Sequence, residues 1–261
     1  MISVLSDMMS YTFIVRAMIV GGLVALCSAL LGVSLVLKRY SMIGDGLSHV
    51  AFAALTIAVA MNVAPLYIST PIVTVAAIIL LRLSENSKIK GDSAIALIST
   101  VSIAIGVVVT ALTKGMNTDV YSYMFGSILA MSESDVYMSI ALSVVVIILF
   151  VFFYNKIFAV TFDESFAKAT GTKADAYNMI IAVLTAITIV VGMRIMGTML
   201  ISSLIIFPAL ISMRNFKTFK SVIICSAIVS VVCFLLGIIL SYLYSIPTGA
   251  SIVLVNTVAL I

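Results

Sequence analysis

Two ionisable side chains, Asp45 and His49, stand inside an otherwise apolar run, RYSMIGDGLSHVAFAALTI. They lie four residues apart, so on a helix they leave one face, one turn above the other. A carboxylate oxygen and an imidazole nitrogen on one face make a partial ligand set for a divalent transition metal, the first hard and the second borderline. The plain alternative is a structural carboxylate–histidine hydrogen bond, since two ligands do not hold a metal alone. In hydrocarbon the balance moves toward function, because ionisable groups are expensive there. Two copies packed about an axis would supply two Asp and two His, an N2O2 set suited to four-coordinate zinc. Manganese or ferrous iron would ask for more oxygens or water.

Other chemistries fit less well. A serine–histidine protease needs its nucleophile and base facing each other, whereas Ser48 and His49 are adjacent and splay apart, and there is no second histidine. An aspartyl protease needs two carboxylates sharing a proton, and Asp45 is alone within the apolar runs. No G-x-x-x-x-G-K-[ST] loop occurs, so the chain does not hydrolyse ATP by that route. It is expected to be no enzyme and to hold no resident cofactor. Met193, Met196 and Met199 recur every third residue and suggest a cuprous path, but flexible packing near a helix junction explains them better, since Arg194 and Gly197 break the run. Cys27, Cys225 and Cys233 all lie in apolar runs and read as small core residues.

The elements that must position Asp45 and His49 follow from composition. Of 261 residues, 63% are hydrophobic and 9% charged, and the mean hydropathy is +1.32. Soluble domains carry roughly 25% charged residues, so this set cannot make a water-exposed surface. The long unbroken apolar stretches exclude a β-barrel, and the chain reads as an all-α polytopic bundle. Nine crossings are expected, at 12–37, 41–62, 64–82, 93–113, 135–155, 175–193, 197–213, 219–243 and 247–261, eight firm and the last marginal. A span starting near Tyr40 would put His49 roughly 13–14 Å along it, close to mid-bilayer. The stretch 114–134 is too polar to span and suits a short interfacial or re-entrant helix around Val120–Ala130. Pro208 should kink or break the seventh span, with Ser202 and Ser203 available to cap freed backbone. Gly21, Gly22, Cys27, Ser28 and Gly32 allow close helix packing.

The basic residues fall on alternate connections. Lys38, Arg39, Arg82, Lys88, Lys90, Lys156, Lys168, Lys173, Arg214, Lys217 and Lys220 share one side, which leaves only Arg16, Lys114 and Arg194 for the other. The first group marks the cytoplasmic side and puts the N-terminus outside. Scattered in this way, the net charge of +4 forms no nucleic-acid patch. No cleavable signal is expected. The longest inner connection, NKIFAVTFDESFAKATGTKAD, predicts a short helix over Asp163–Thr170. Asp163 and Glu164 stand at its start, Lys168 in its last turn and Gly171 as its stop. Phe162 and Phe166, four apart, would ridge one face of it. Such a helix packs on its own bundle or docks a cytoplasmic partner.

The stretch LGVSLVLKRYSMIGDGLSHVAFAAL resembles the signature of the membrane permeases of bacterial ATP-binding-cassette importers for zinc, manganese and iron. The likeness continues through YSYMFGSILAMSESD, TFDESFAKATGTKADAYN, GTMLISSLIIFPALIS and IPTGASIVLV, so it covers nearly the whole chain. The YMFGSIL element and the F-D-E-x-x-A loop are closer to the zinc branch. So is the sequence VAFAALTIA after His49, where many manganese-type members have a proline–glycine step. The resemblance implies a single permease domain over 1–261, a homodimer in the bacterial cytoplasmic membrane. It also implies separate cytoplasmic ATPase subunits and an extracytoplasmic metal-binding protein that delivers the ion. Asp45 and His49 match the family's metal positions. Segment 161–171, with Phe162, Asp163, Glu164, Phe166, Ala167 and Gly171, matches its coupling helix. Zinc is the expected cargo, with manganese or iron as alternatives. A gradient-driven carrier without an ATPase is the competing reading.

Overall fold

The computed structural model describes residues 9–86, 91–113 and 133–261. Among them are eleven helices and no strand: α1 (Thr12–Leu37), α2 (Ile43–Ala60), α3 (Pro65–Asn86), α4 (Gly91–Leu112), α5 (Glu133–Phe152), α6 (Tyr154–Phe162), α7 (Glu164–Ala169), α8 (Ala174–Met196), α9 (Thr198–Asn215), α10 (Phe219–Tyr244) and α11 (Thr248–Leu260). Each of the nine expected crossings corresponds to one of α1–α5 and α8–α11, with ends within four residues. Among the described residues, seven helices are long and apolar enough to cross a membrane, α9 runs 18 residues as α2 does, and α11 is a shorter apolar helix of 13. The proposed helix around Val120–Ala130 lies outside the described residues.

The bundle has an inner set and an outer set. Helices α1, α2 and α8 bury most of their surface, whereas α3, α4 and α5 leave most of theirs open. The open surface is apolar: Leu97, Val101, Ile105 and Val108 stripe α4, and Ile224, Ile228, Val232 and Leu236 stripe α10. An apolar exterior of this extent belongs in hydrocarbon. The polar side chains are inside instead. Ser230 Oγ donates to the Ala25 carbonyl at 2.8 Å and Ser226 Oγ to that of Ala29 at 3.4 Å, joining α10 to α1. Such bonds stand in for the hydrophobic drive that lipid does not supply between helices.

Small residues set the closest approaches. A Cβ on Gly32 of α1 would sit 2.1 Å from the backbone oxygen of Ile205 in α9, so the two backbones touch there. A Cβ on Gly21 would meet the Phe234 ring at 2.1 Å, whereas one on Gly22 would meet nothing within 4 Å. Of the glycine pair, only Gly21 serves packing. Met193 and Met196 are buried, and the Met196 methyl lies near Gly21, so these two are core fillers.

Two local expectations need revision. Of the kink or break expected at Pro208, the break is absent, because α9 runs through it from Thr198 to Asn215. Ser203 Oγ donates to the Leu200 carbonyl at 2.8 Å and Ser212 Oγ to the Pro208 carbonyl at 2.7 Å, while Ser202 Oγ finds no partner. Burial of α9 among α1, α2, α10 and α11 supplies the packing that outweighs one lost backbone bond. The second correction is that α2 starts at Ile43, after a turn, not near Tyr40. His49 thus lies only about 9 Å along the helix, short of the roughly 13–14 Å expected.

The corner before α2 is tightly made. Helix α1 ends with Arg39 N–H donating to Val36 O at 3.0 Å and Tyr40 N–H to Leu35 O at 2.8 Å, the paired bonds of a Schellman stop. Arg39 occupies the left-handed position, φ 62°, that glycine usually fills. A residue with a Cβ pays about 1–2 kcal/mol there.

Candidate metal site

Helix α2 is enclosed on nearly every side. It packs on α3, α4, α8 and α9. Gly44 faces the Ile205 side chain, where a Cβ would be 3.0 Å away, and Gly46 faces Ile95 at 2.7 Å, so α9 and α4 close on it from two directions. From Ile43 to Thr56 every residue is buried except Asp45 and His49. Their side chains are 44% and 24% exposed, on one face, one turn apart. The expected spacing on one face is present, and it is where α2 is open.

His49 Nε2 and Asp45 Oδ2 are 3.6 Å apart, beyond a hydrogen bond. Metal–ligand bonds of about 2.0–2.2 Å in a tetrahedron place ligand atoms roughly 3.3–3.6 Å from each other, so the spacing suits two ligands of one ion. Ser48 cannot compete for this role, being fully buried with its Oγ bonded to the Asp45 carbonyl at 2.7 Å. Among the described residues no group of three or more His, Cys, Asp or Glu side chains is placed to hold a metal. Asp45 and His49 are thus two candidate ligands, fewer than the four of a tetrahedral shell.

Segment 161–171 departs from the expected single helix. Asp163 is extended (φ −147°, ψ 95°) and divides α6 from α7. Its Oδ1 caps α7 by accepting from Phe166 N–H at 2.8 Å. Gly171 stops the helix at φ 80°, with Gly171 N–H to Lys168 O at 3.1 Å and Thr172 N–H to Ala167 O at 2.9 Å. The cap and stop are thus where the sequence puts them. The Phe162–Phe166 ridge is not, because the break at Asp163 places the two rings on different helices. Phe162 stacks with Phe158 and Phe219, at 5.0 and 5.9 Å between ring centroids, while Phe166 is 66% exposed. Ala167 is buried against Val160 and Ala174 and fixes α7 to the bundle.

Glu164 points inward, toward partners that sequence reasoning missed. Its Oε2 accepts from Lys38 Nζ at 3.1 Å and from Asn178 Nδ2 at 3.1 Å, and its Oε1 meets Lys168 Nζ at 3.0 Å. Lys38 also donates to Asn178 Oδ1. Burial pushes the Glu164 carboxyl up, but the hydrogen bonds from Asn178, Lys168 and Lys38 outweigh that and hold it at about 2. Lys168 is in turn pushed up, by Asp175 first and then Glu164. Next to this cluster opens a cleft of about 550 Å³ lined by Tyr40, Arg82, Glu164, Lys168, Asp175 and Met179. Three of the connections expected on the cytoplasmic side therefore meet at one end of the bundle. The one sequence signal for Lys38 was the basic pair before the Asp45–His49 run.

The chain is similar to known proteins along nearly its whole length. The family described as ABC 3 transport family matches residues 10–261. The manganese transport system membrane protein MntC of Halalkalibacterium halodurans is 26% identical over 95% of this chain and 85% of its own. The high-affinity zinc uptake system membrane protein ZnuB of Haemophilus influenzae is 29% identical over 91% of each. Among solved structures, PsaBC from Streptococcus pneumoniae in complex with Fab superposes with a TM-score of 0.89 at 26% identity, covering 100% of this chain and 94% of that one.

Proposed function

This chain belongs to the ABC 3 transport family, as a multi-pass metal-ion permease of the bacterial plasma membrane, and from that premise we propose that its cargo is zinc and that Asp45 and His49 hold the ion in passage. One observation carries the reading: along the buried part of α2, the only side chains left open are a carboxylate and an imidazole at ligand spacing. A second copy packed on this face would complete an N2O2 shell, which zinc accepts at coordination number four. An ion released outside would exchange part of its water for these groups. Separate ATPase subunits, docked at Phe162 and Phe166, would then drive the opening to the inside. Few ligands keep the hold weak enough for release. Membership of an ABC family favours this over a gradient-driven carrier.

The relatives carry both metals in their names, and manganese is the second reading because MntC is among them. Imidazole and a four-coordinate shell favour zinc, which also stands above manganese in the affinity order for nitrogen–oxygen sites. The purified complex, offered equal zinc and manganese and then washed, should retain zinc in at least about tenfold excess by elemental analysis. Preferential retention of manganese would overturn the zinc assignment.

The docking role has its own check. Phe166→Asp puts a charge on a ring that is 66% exposed and makes no core contact that folding needs. The variant should insert normally yet lose its co-purifying ATPase by at least about tenfold, as a central aromatic anchor does when removed. Normal co-purification would move the docking surface elsewhere.

A further inference from the structure

Lys38 caps α1 at the bundle end that carries most of the basic residues, yet its ammonium group is not in water. The side chain is 9% exposed and is tied to Glu164 in the first turn of α7 and to Asn178 in α8. Asn178 closes the triangle by donating to the same Glu164 oxygen. Separating such a buried pair leaves an uncompensated charge, so the end of α1, the start of α7 and the foot of α8 move together. From Lys38 the chain passes through left-handed Arg39, Tyr40 and the short turn at Ser41–Met42 into α2, and Asp45 lies seven residues beyond Lys38. Above the triangle the packing is incomplete. A cavity with room for about one water, some 10 Å³, lies between Lys38, Tyr40, Ile43, Leu47, Asn178 and Ile181. The joint to α7 is tied by charge, and α2 packs on α8 through Ile43, Leu47 and Ile181 around that small void, so a pull on the corner reaches α2 through the backbone and through this contact.

We propose that Lys38 is a positioning residue for transport: it transmits displacement of α7 through the Arg39–Tyr40 corner to the helix that carries Asp45 and His49. This rests on the ATP-driven reading above and deepens it by naming the side chain that joins the energy input to the ion site.

The test uses the permease assembled with its ATPase in lipid vesicles, with zinc ion as cargo, and reads zinc moved per ATP hydrolysed. Lys38→Met should lower that ratio roughly tenfold while ATP hydrolysis stays within about twofold, a size of effect typical of residues that carry coupling. Lys38→Arg, which keeps the charge, should recover most of it. Glu164→Gln should fall in the same direction. The double variant should be no worse than the poorer single, because both act on one link. Where Lys38→Met fails to assemble, Glu164→Gln alone decides, since that side chain is 35% exposed and its loss leaves no large void. An unchanged ratio in Glu164→Gln or Lys38→Met, or single effects that multiply in the double, would overturn the inference. A wild-type complex that moves no zinc on ATP would instead overturn the underlying reading, so the two failures are told apart by the control.

Discussion

Replacing His49 by alanine should abolish metal uptake while the protein still inserts and assembles. The side chain is partly open, makes no hydrogen bond to Asp45 at 3.6 Å, and fills no closed core position, so its loss costs little packing. What disappears is the only imidazole the chain possesses. Loss of a group that merely orients a metal ligand costs about 10–100-fold in affinity or activity, and loss of the ligand itself costs no less. In an assembly of two copies each would lose a nitrogen, leaving only the two Asp45 carboxylates. Asp45→Ala should behave in parallel, and Ser48→Ala, one residue away with its hydroxyl turned to the backbone, should transport normally. The measurement is zinc accumulation in cells lacking other zinc uptake, with membrane abundance followed by blot. Undiminished accumulation in the His49 variant would falsify the ligand assignment.

Gly32→Ala should be the most damaging single methyl added to the bundle. The new Cβ would lie 2.1 Å from the Ile205 carbonyl oxygen and 3.0 Å from its carbon, and both are backbone atoms that no rotamer change can move. Helices α1 and α9 must separate, and overpacking of this kind costs about 1–3 kcal/mol or more. The damage spreads, because the same Ile205 presents its side chain to Gly44 of α2 and so wedges α1 from the helix bearing the metal ligands. Gly22→Ala is the internal control. Its Cβ meets nothing within 4 Å, and replacing a mid-helix glycine by alanine gains about 0.5–1 kcal/mol. Thermal denaturation in detergent should therefore separate the two variants in opposite directions from wild type. Equal midpoints would remove the backbone contact from the account of how α1 and α9 pack.

What the sequence makes legible here is local. Apolar runs of bilayer length announce the spans, since a helix satisfies all of its backbone bonds within one such run. The shared face of Asp45 and His49 follows from a four-residue spacing. The cap at Asp163 and stop at Gly171 follow from side-chain chemistry a few residues away. What the sequence conceals is whatever depends on distant partners. Lys38 meets Glu164 across 126 positions and Asn178 across 140, and no local pattern encodes either pairing. The same holds for the interruption at Asp163. A helical spacing of Phe162 and Phe166 reads as one ridge, but the Phe162 ring is claimed by Phe219 at the start of α10, so the chain turns. At Pro208 the sequence leaves kink and break open, and the surroundings of α9 decide against the break.

Arg214, in the last turn of α9, donates to the Leu260 carbonyl at 3.1 Å and so ties α11 to α9, while Leu254 and Val258 on α11 face outward. Helix α9 packs in turn on α1 and on α2. Lateral pressure from lipid against α11 is therefore passed inward through α9 to the helix that carries Asp45 and His49.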